Sequence, residues 1–201
     1  MKKIIIDKKI IFSSAYDEYK YLADYMLDND CPAAGNYNKP GISDYPFYAY
    51  YSTLVDNTTV LEIGTSQGGS AIMMTHNPSN KIISYDVVNF RSESFNPIDK
   101  DIEFRIGNFM DDEIDYDQID LITIDAAHNG TEEIEMVEHL QQNWKGGLLF
   151  LDDINLSQMR GFWEGIDRDR HEVFDISDIA HGHHGSGLVN FNRYFNLTIL
   201  E

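Results

Sequence analysis

The sequence predicts an α/β fold in which a doubly wound, mainly parallel β-sheet has helices on both faces. Short apolar segments alternate with segments long enough to form helices, which is typical of right-handed βαβ crossovers. The apolar segments are continuous, as expected for strands that are buried on both faces. Strands are predicted at about 59–63, 81–87, 102–106, 120–125, 148–153, 172–176 and 187–194.

The amino-terminal residues are expected to form helices and a lid beside this sheet. Residues 14–28 have helical periodicity, and residues 47–55 look helical again. Between them, residues 29–46 are rich in proline, glycine and polar residues, which predicts a long loop. Tyrosine is frequent in this region, so a lid over a polyol is one interpretation and ordinary packing is the other.

A helix is predicted between the fourth and fifth strands, over residues 131–144. Its candidate inward-facing residues are Ile134, Val137, His139 and Leu140, which recur at helical spacing. The chain as a whole, 1–201, is expected to be one domain. Residues 1–55 then form the helices and lid, and residues 56–201 form the core.

A glycine-rich turn after the first core strand predicts a site for a nucleoside-containing cofactor. The strand at 59–63 continues into Gly64-Thr65-Ser66-Gln67-Gly68-Gly69-Ser70, and a helical segment follows. Such a turn lets the backbone approach a ligand and points helix N–H groups at an anion. The next strand ends at Asp86, about 20 residues after the first glycine, where a carboxylate commonly binds a ribose diol.

Two cofactors, NAD and S-adenosyl-L-methionine (SAM), fit this layout. In the dinucleotide pattern G-x-G-x-x-G the middle glycine lets the pyrophosphate come close, but that position is Ser66 here. SAM has no pyrophosphate, and the carboxylate of Glu62 at the strand end suits its ammonium group. The turn therefore favours SAM. A plain turn without a ligand is the alternative, and the position of Asp86 argues against it.

Carboxylates at the ends of two strands predict a site for a divalent cation. One strand ends at Asp125, with His128 a turn further on, and the other ends at Asp152 and Asp153. The carboxyl ends of parallel strands meet at the edge of the sheet where ligands bind. Hard oxygen donors suit Mg²⁺, Mn²⁺ or Ca²⁺. Ordinary turn residues are the alternative, but three acids at adjacent strand ends favour a metal.

Four motifs together resemble class I SAM-dependent methyltransferases: EIGTSQGGS at 62–70, IDAAH at 124–128, WKGG at 144–147 and LDDI at 151–154. Within this class, residues 55–195 resemble metal-dependent sugar O-methyltransferases of macrolide biosynthesis and the cephalosporin hydroxylase-like group. HGHHGSGL at 181–188 resembles the turn before the last strand in that group. The resemblance implies a Rossmann-like sheet of seven strands, the last antiparallel.

The resemblance also implies a role for each matching residue. Asp125, Asp152 and Asp153 would ligate the metal, although relatives often have Glu at the position of Asp152. His128 would be the general base, beside Asp125 in the catalytic site. Many relatives have Asp at Asn108, where an adenine contact is expected. The implied cofactor-binding residues are Glu62, Gly64, Thr65, Ser66, Gly68, Gly69, Ser70, Asp86, Asn108 and Asp125.

The histidines of the turn before the last strand allow two interpretations. His181, His183 and His184 have donors that suit zinc, but the glycines between them indicate a mobile turn and hard-acid ligands are clustered elsewhere. A contact with the substrate is favoured over a transition-metal site.

Composition and charge exclude several functional classes. With 201 residues, 42% of them hydrophobic, the chain is long enough for a full core. Its net charge of −19 argues against a nucleic-acid partner. Cys31 is the single cysteine, so no intramolecular disulfide is expected. No apolar run approaches the ~20 residues of a membrane span, and the first residues do not resemble a signal peptide. A cytoplasmic location is therefore expected.

The sequence thus predicts an O-methyltransferase that uses SAM and Mg²⁺ or Mn²⁺ on a vicinal diol. The favoured acceptor is a sugar, such as the deoxyhexose rhamnose, in a glycan or glycosylated metabolite. A catechol- or phenylpropanoid-type enzyme and an inactive Rossmann-like binding domain are the alternatives, and Ser66 disfavours an NAD-dependent oxidoreductase. A homo-oligomer and a domain of a larger glycosylation enzyme both stay open.

Overall fold

A computed structural model of the chain describes residues 1–7, 18–36, 44–180 and 184–200. These residues form nine strands: β1 (Lys3–Asp7), β2 (Thr59–Ile63), β3 (Lys81–Asp86), β4 (Ile102–Ile106), β5 (Ile119–Ile124), β6 (Gly147–Leu151), β7 (Glu172–Asp175), β8 (Gly187–Phe191) and β9 (Asn196–Leu200). They also form six α-helices: α1 (Lys20–Asp28), α2 (Tyr45–Ser52), α3 (Gly69–Met74), α4 (Thr131–Asn143), α5 (Arg160–Gly165) and α6 (Ser177–Ala180). Short 3₁₀ helices lie at Pro32–Asn36, Phe109–Asp111 and Tyr116–Gln118. None of the helices in the described ranges is long and apolar enough to cross a lipid bilayer.

Seven of the strands form one mixed sheet in the order β4-β3-β2-β5-β6-β8-β7. Strands β2 to β6 pair in parallel, whereas β8 runs antiparallel to both of its neighbours. The prediction of a doubly wound, seven-stranded sheet whose last strand is antiparallel is therefore confirmed. The strand order reverses between β2 and β5, and ligands of such sheets bind at the carboxyl ends of the strands beside that reversal.

The sheet is buried on both faces, which explains the continuous apolar runs of its strands. Val60 and Leu121 belong to a core shared with α1, α2 and α3. Their neighbours Leu61 and Ile122 belong to a second core, on the other face, with residues of α4 and α5. Successive strand residues point to opposite faces, so both sets of side chains must be apolar.

A second, two-stranded sheet was not predicted. Strand β1 pairs in parallel with β9, so that Lys3 lies opposite Asn196 and the two ends of the chain meet. In β1 the side chains of Ile4 and Ile6 are buried. A strand of five residues whose partner lies at the other end of the chain gives little local signal in the sequence.

Helix α4 confirms the predicted segment but presents a different face to the core. Val137 and Leu140 are buried as predicted, whereas Ile134 is 44% exposed, so that part of the prediction is wrong. His139 is half-buried and its Nε2 lies 3.0 Å from the Tyr116 hydroxyl. The inward face instead includes Glu133, because its carboxylate accepts hydrogen bonds from main-chain N–H groups that precede the helix.

The amino-terminal helices differ in their limits from the prediction. Helix α1 lies within the predicted 14–28, of which residues 14–17 are outside the described residues. Helix α2 begins earlier than predicted and ends at Ser52. The predicted loop contains the 3₁₀ helix Pro32–Asn36, and its central part, 37–43, is outside the described residues. The prediction of a lid depends on that central part.

Helix α2 is held against the strands that lead to the acidic residues. The Tyr51 hydroxyl contacts the main-chain oxygens of Ile122 in β5 and Leu148 in β6, at 3.0 and 2.5 Å. The rings of Phe47 and Tyr48 each lie 5.2 Å from the ring of Phe150 in β6. The start of α2 is therefore fixed beside the carboxyl ends of β5 and β6.

Candidate active site

The turn after β2 lies between the carboxyl ends of β3 and β5. The main-chain N–H groups of Gly64 and Thr65 donate to the carbonyl oxygen of Tyr85, at 2.8 and 3.1 Å. Gly64 has φ +103°, and a Cβ added there would lie 1.7 Å from the main-chain oxygen of Asp125. Glycine is therefore required at this position for both conformational and steric reasons.

Asp86, at the end of β3, closes this turn. Its Oδ2 accepts a hydrogen bond of 2.7 Å from the main-chain N–H of Ser66, and its Oδ1 accepts one of 3.1 Å from Val88. Each carboxylate oxygen has a further lone pair, and the Asp86 side chain lines an open cavity. The carboxylate can therefore accept hydrogen bonds from a ligand while it still holds the turn.

The cavity has a volume of about 460 Å³ and lies at the carboxyl ends of β2 to β5. This volume is within the usual range for small-molecule sites. Tyr85, Val87, Phe109 and Met136 form apolar parts of its wall, and His128 lies on the wall as well. The predicted cofactor residues on the wall are Gly64, Ser66, Asp86, Asn108 and Asp125.

The other predicted cofactor residues do not line this cavity. Glu62 is 1% exposed and accepts a short hydrogen bond from Ser84 Oγ. Burial raises the pKa of Glu62 to about 7, and its contact with a cofactor ammonium stays a prediction. The hydroxyl of Thr65 also contacts Ser84. Gly68, Gly69 and Ser70 begin α3, where a Cβ on Gly69 would meet the Tyr45 hydroxyl at 2.3 Å.

Three carboxylates converge at the same edge of the sheet. Asp44, Asp125 and Asp152 each offer an oxygen within 4.8 Å of the other two. Asp125 and Asp152 meet because they follow the paired residues Ile124 and Leu151 of β5 and β6. Oxygens on opposite sides of one ion lie about 4.2 Å apart for Mg²⁺ and about 5 Å apart for Ca²⁺. Three carboxylates are a suitable donor set for a divalent cation, and oxygens within 4.8 Å of one another can reach one ion with a small side-chain movement.

The electrostatics of this three-acid group favour a bound positive charge. Burial, together with Asp125 and Asp153, raises the pKa of Asp152 to about 8. Burial and the neighbouring Asp152 and Asp125 also raise the pKa of Asp44 well above its usual range. Buried like charges are unfavourable unless a proton or a cation neutralises them. A divalent cation would allow all three carboxylates to be ionised at neutral pH.

The sequence prediction missed Asp44, which comes from a segment expected to be a loop. Tyr48, one helical turn later, donates a hydrogen bond to Asp44, and its hydroxyl lies 3.5 Å from Asp125 Oδ2. Tyr48 is 1% exposed, so the hydroxyl that donates to Asp44 is buried together with its aromatic ring. The spacing of Asp44 and Tyr48 by one turn is a local signal, but nothing in the sequence relates it to Asp125.

Asp153, which the sequence predicts to be a metal ligand, contacts His128 in this structure. Asp153 Oδ2 lies 3.5 Å from His128 Nδ1, while His128 Nε2 lies 3.2 Å from Asp125 Oδ1. Asp153 has φ +57°, and among the described acids it is outside the three-acid group. The three-acid group therefore differs from the predicted set in one member, with Asp44 in place of Asp153.

His128 is held by its main chain as well as by its ring. It has φ +53°, and its N–H donates to Glu133 Oε1 at 2.6 Å. The hydrogen bond to Asp125, and then the charges of Asp153 and Asp152, raise the pKa of His128 to about 9. In the metal-free protein the imidazole is therefore protonated at neutral pH.

Residues 184–186, the described part of the predicted histidine-rich turn, lie beside the three-acid group. His181 and His183 are outside the described residues. The main-chain oxygen of His184 accepts a hydrogen bond of 2.8 Å from Asn155, and Ser186 Oγ donates to Asp152 Oδ1 at 3.3 Å. The segment that follows these histidines thus contacts one of the proposed ligands.

No protein-family model matches the chain, and no curated protein matches it. Solved structures do match over most of its length. A Podospora anserina methyltransferase bound to S-adenosylhomocysteine (SAH) has a TM-score of 0.62 at 14% identity, covering 87% of this chain and 88% of that one. An O-methyltransferase from Bacillus cereus in complex with SAH has a TM-score of 0.57 at 17% identity, covering 89% and 91%.

A third solved structure is a putative caffeoyl-CoA O-methyltransferase from Staphylococcus aureus. Its TM-score is 0.57 at 14% identity, covering 92% of this chain and 98% of that one. Together these similarities establish that the chain has the class I methyltransferase fold, with its Rossmann-like α/β architecture.

Proposed function

We propose that the chain is a SAM-dependent O-methyltransferase that acts on a small molecule with two adjacent oxygens. The observation that carries this proposal is one cavity whose wall includes both Asp86 and the segment from Asp125 to His128. A nucleoside held by Asp86 and an acceptor near His128 would therefore share one space. Two solved structures of the same fold are described as complexes with SAH, which supports the choice of cofactor.

Each part of SAM would have a separate contact in the cavity. Asp86 would accept hydrogen bonds from the ribose hydroxyls, and the methionine part would lie against the backbone of Gly64 and Ser66, which line the cavity. Phe109 and Met136 form apolar walls that suit adenine. Asn108 uses its Oδ1 to accept from Met110 N–H, so its NH₂ group remains a donor for a ring nitrogen.

The three-acid group supports the proposal that methyl transfer depends on a divalent cation. Asp125 and Asp152 would hold the cation. A divalent cation at this position would lower the pKa of the acceptor hydroxyl. The adjacent oxygen of a vicinal diol would offer a second hard donor, which is the reason for proposing such an acceptor.

His128 accepts the proton of the acceptor hydroxyl. SAM, when bound, would supply the methyl group, which would leave its sulfur for the acceptor oxygen. The imidazole would take up the proton that this oxygen loses. No covalent intermediate with the enzyme is needed. The imidazole must first lose its own proton, because Asp125 and Asp153 favour the protonated form. With a cation bound to Asp125 that effect would be weaker, and the neutral base would be available at lower pH.

The comparisons favour an aromatic acceptor over the sugar that the sequence favours. The Staphylococcus aureus structure is described as a putative caffeoyl-CoA O-methyltransferase, and a caffeoyl group has two adjacent aromatic hydroxyls. None of the three similar structures is described as acting on a sugar. A catechol-type diol is therefore the proposed acceptor class, and glycosides are the alternative to be tested beside it.

An acceptor panel tests this proposal. The protein is incubated with SAM and Mg²⁺ or Mn²⁺, together with catechols, caffeoyl esters or deoxyhexose glycosides, and products are identified by mass spectrometry. We expect a monomethylated catechol product that disappears after exhaustive chelation. Methylation of glycosides alone would overturn the acceptor class. Full activity with chelator would overturn the role of the cation.

A further inference from the structure

We infer that Asp44 is the third carboxylate ligand of the cation, in the place that the sequence pattern assigns to Asp153. This inference rests on the proposed function, since it concerns the cation of the proposed reaction. It adds a ligand from the residue that precedes α2 to the two ligands that follow the strands β5 and β6. The cation would then join α2 to β5 and β6.

The direction of the Asp44 side chain supports this assignment. Asp44 is the residue before the first turn of α2, where a carboxylate ordinarily accepts a hydrogen bond from a helix N–H group. Its carboxylate makes no such capping bond within the described helix. Instead, one of its oxygens lies within 4.8 Å of oxygens of both Asp125 and Asp152. The Asp44 side chain thus lies near two other acids and makes no capping hydrogen bond to the helix.

The packing of α2 fixes Asp44 relative to the other two acids. The Tyr51 hydroxyl contacts main-chain oxygens of β5 and β6, and Asp125 and Asp152 directly follow these two strands. Tyr48 of α2 packs its ring against Phe150, and its hydroxyl lies 3.5 Å from Asp125 Oδ2. Ligands held in place by rigid elements bind a metal with less loss of conformational freedom.

In this arrangement Asp153 contacts His128 and does not ligate the cation. Its carboxylate lies against His128 Nδ1, on the opposite side of the ring from the contact between Nε2 and Asp125. A carboxylate at one imidazole nitrogen fixes the orientation and the tautomer of the ring. Asp153 is therefore a positioning residue for His128.

The test compares two identical substitutions, Asp44→Asn and Asp153→Asn, in the full chain. Binding of Mn²⁺ alone is measured by calorimetry and by the electron paramagnetic resonance signal of free Mn²⁺. We expect Asp44→Asn to weaken Mn²⁺ binding at least tenfold and Asp153→Asn to change it less than about threefold, because only the former removes a ligand charge. Asp28→Asn, an exposed acid at the end of α1, is the control for net charge.

Two further readouts separate ligation from misfolding. Without metal, Asp44→Asn should melt at the same or a higher temperature than the wild type, because one of three repelling acids is gone. The rise in melting temperature on adding Mn²⁺ should be much smaller than in the wild type. Asp153→Asn should lower kcat while KM for SAM stays unchanged, as expected when only the base is misplaced.

The outcomes distinguish this inference from the proposed function. Wild-type protein that binds Mn²⁺, with Asp44→Asn binding it equally well, would overturn the role of Asp44 and leave the proposed function intact. A tenfold loss in Asp153→Asn alone would restore the set predicted from sequence. Wild-type protein that binds SAH but no Mn²⁺ would overturn both the cation and the inference.

Discussion

His128 shows how neighbouring residues determine the chemistry of a single side chain. Its two ring nitrogens lie 3.2 and 3.5 Å from carboxylate oxygens of Asp125 and Asp153. These contacts raise the pKa of the imidazole to about 9 in the metal-free protein. A base that is protonated at neutral pH is inactive, so the proposed cation and the proposed base depend on each other.

His128→Ala should lower kcat by on the order of 10²–10⁴, which is the usual contribution of a general base. Affinity for SAH should stay nearly unchanged, because the proposed cofactor contacts are Asp86 and the Gly64 turn, not His128. The wild-type rate should rise with pH as the imidazole loses its proton, at a pKa below about 9 once a cation binds Asp125. Initial rates between pH 6 and 9 measure both effects.

The control for this substitution is His76→Ala, since His76 contacts Tyr21 outside the proposed site. Near-native turnover in His128→Ala, with the same pH profile as the wild type, would contradict the assignment of the base.

Helix α4 shows how one element links the fold to the site. Its residue Glu133 is buried and accepts hydrogen bonds from the main-chain N–H groups of His128 and Gly130, at 2.6 and 2.7 Å. The carboxylate thereby fixes the turn on which His128 lies. The residues predicted for the inner face of this helix did not include the buried acid, because an acidic side chain ordinarily predicts an exposed position.

Glu133→Ala should destabilise the protein by about 2–4 kcal/mol, because two main-chain donors lose a charged acceptor. Glu133→Gln should cost less, since its side-chain oxygen can still accept one of the two hydrogen bonds. Urea unfolding followed by circular dichroism measures both values. Equal stability of Glu133→Ala and the wild type would show that water replaces the carboxylate and that α4 does not hold the turn.

The strands and the strand-end acids could be predicted, whereas contacts between distant segments could not. Continuous apolar runs identify β2, β5 and β6 because strands buried on both faces need such residues. The positions of Asp125 and Asp152 follow from those strands. Asp44 could not be assigned, because its distance from them depends on how α2 packs. The pairing of β1 with β9 depends in the same way on the whole fold.

At the scale of the whole molecule, the titratable groups of the site make the stability of the metal-free protein depend on pH. The pKa is raised to about 8 for Asp152, to about 7 for Glu62 and to about 9 for His128. Each group therefore binds its proton more tightly in the folded state than in the unfolded state. Stability falls as pH rises through the window from the unfolded to the folded pKa of each group.

The melting temperature of the metal-free protein should therefore fall between pH 6 and pH 9. Saturating Mg²⁺ should reduce this dependence, because the cation replaces protons as the neutralising charge. Differential scanning fluorimetry in chelator and in Mg²⁺ measures the difference. The net charge of −19 acts in the same direction, so the series is repeated at high salt, which screens surface charge. A melting temperature that rises with pH in chelator would contradict these pKa shifts.

The central claim is that the cavity at the carboxyl edge of the sheet binds SAM, and calorimetry with SAH and NAD tests it without knowledge of the acceptor. SAH should bind with measurable heat and NAD should not, because Ser66 occupies the position where a dinucleotide needs glycine. Asp86→Ala should weaken SAH binding by about 1.5–3 kcal/mol, the usual range for hydrogen bonds to a charged group. Heat from NAD and none from SAH would contradict the account.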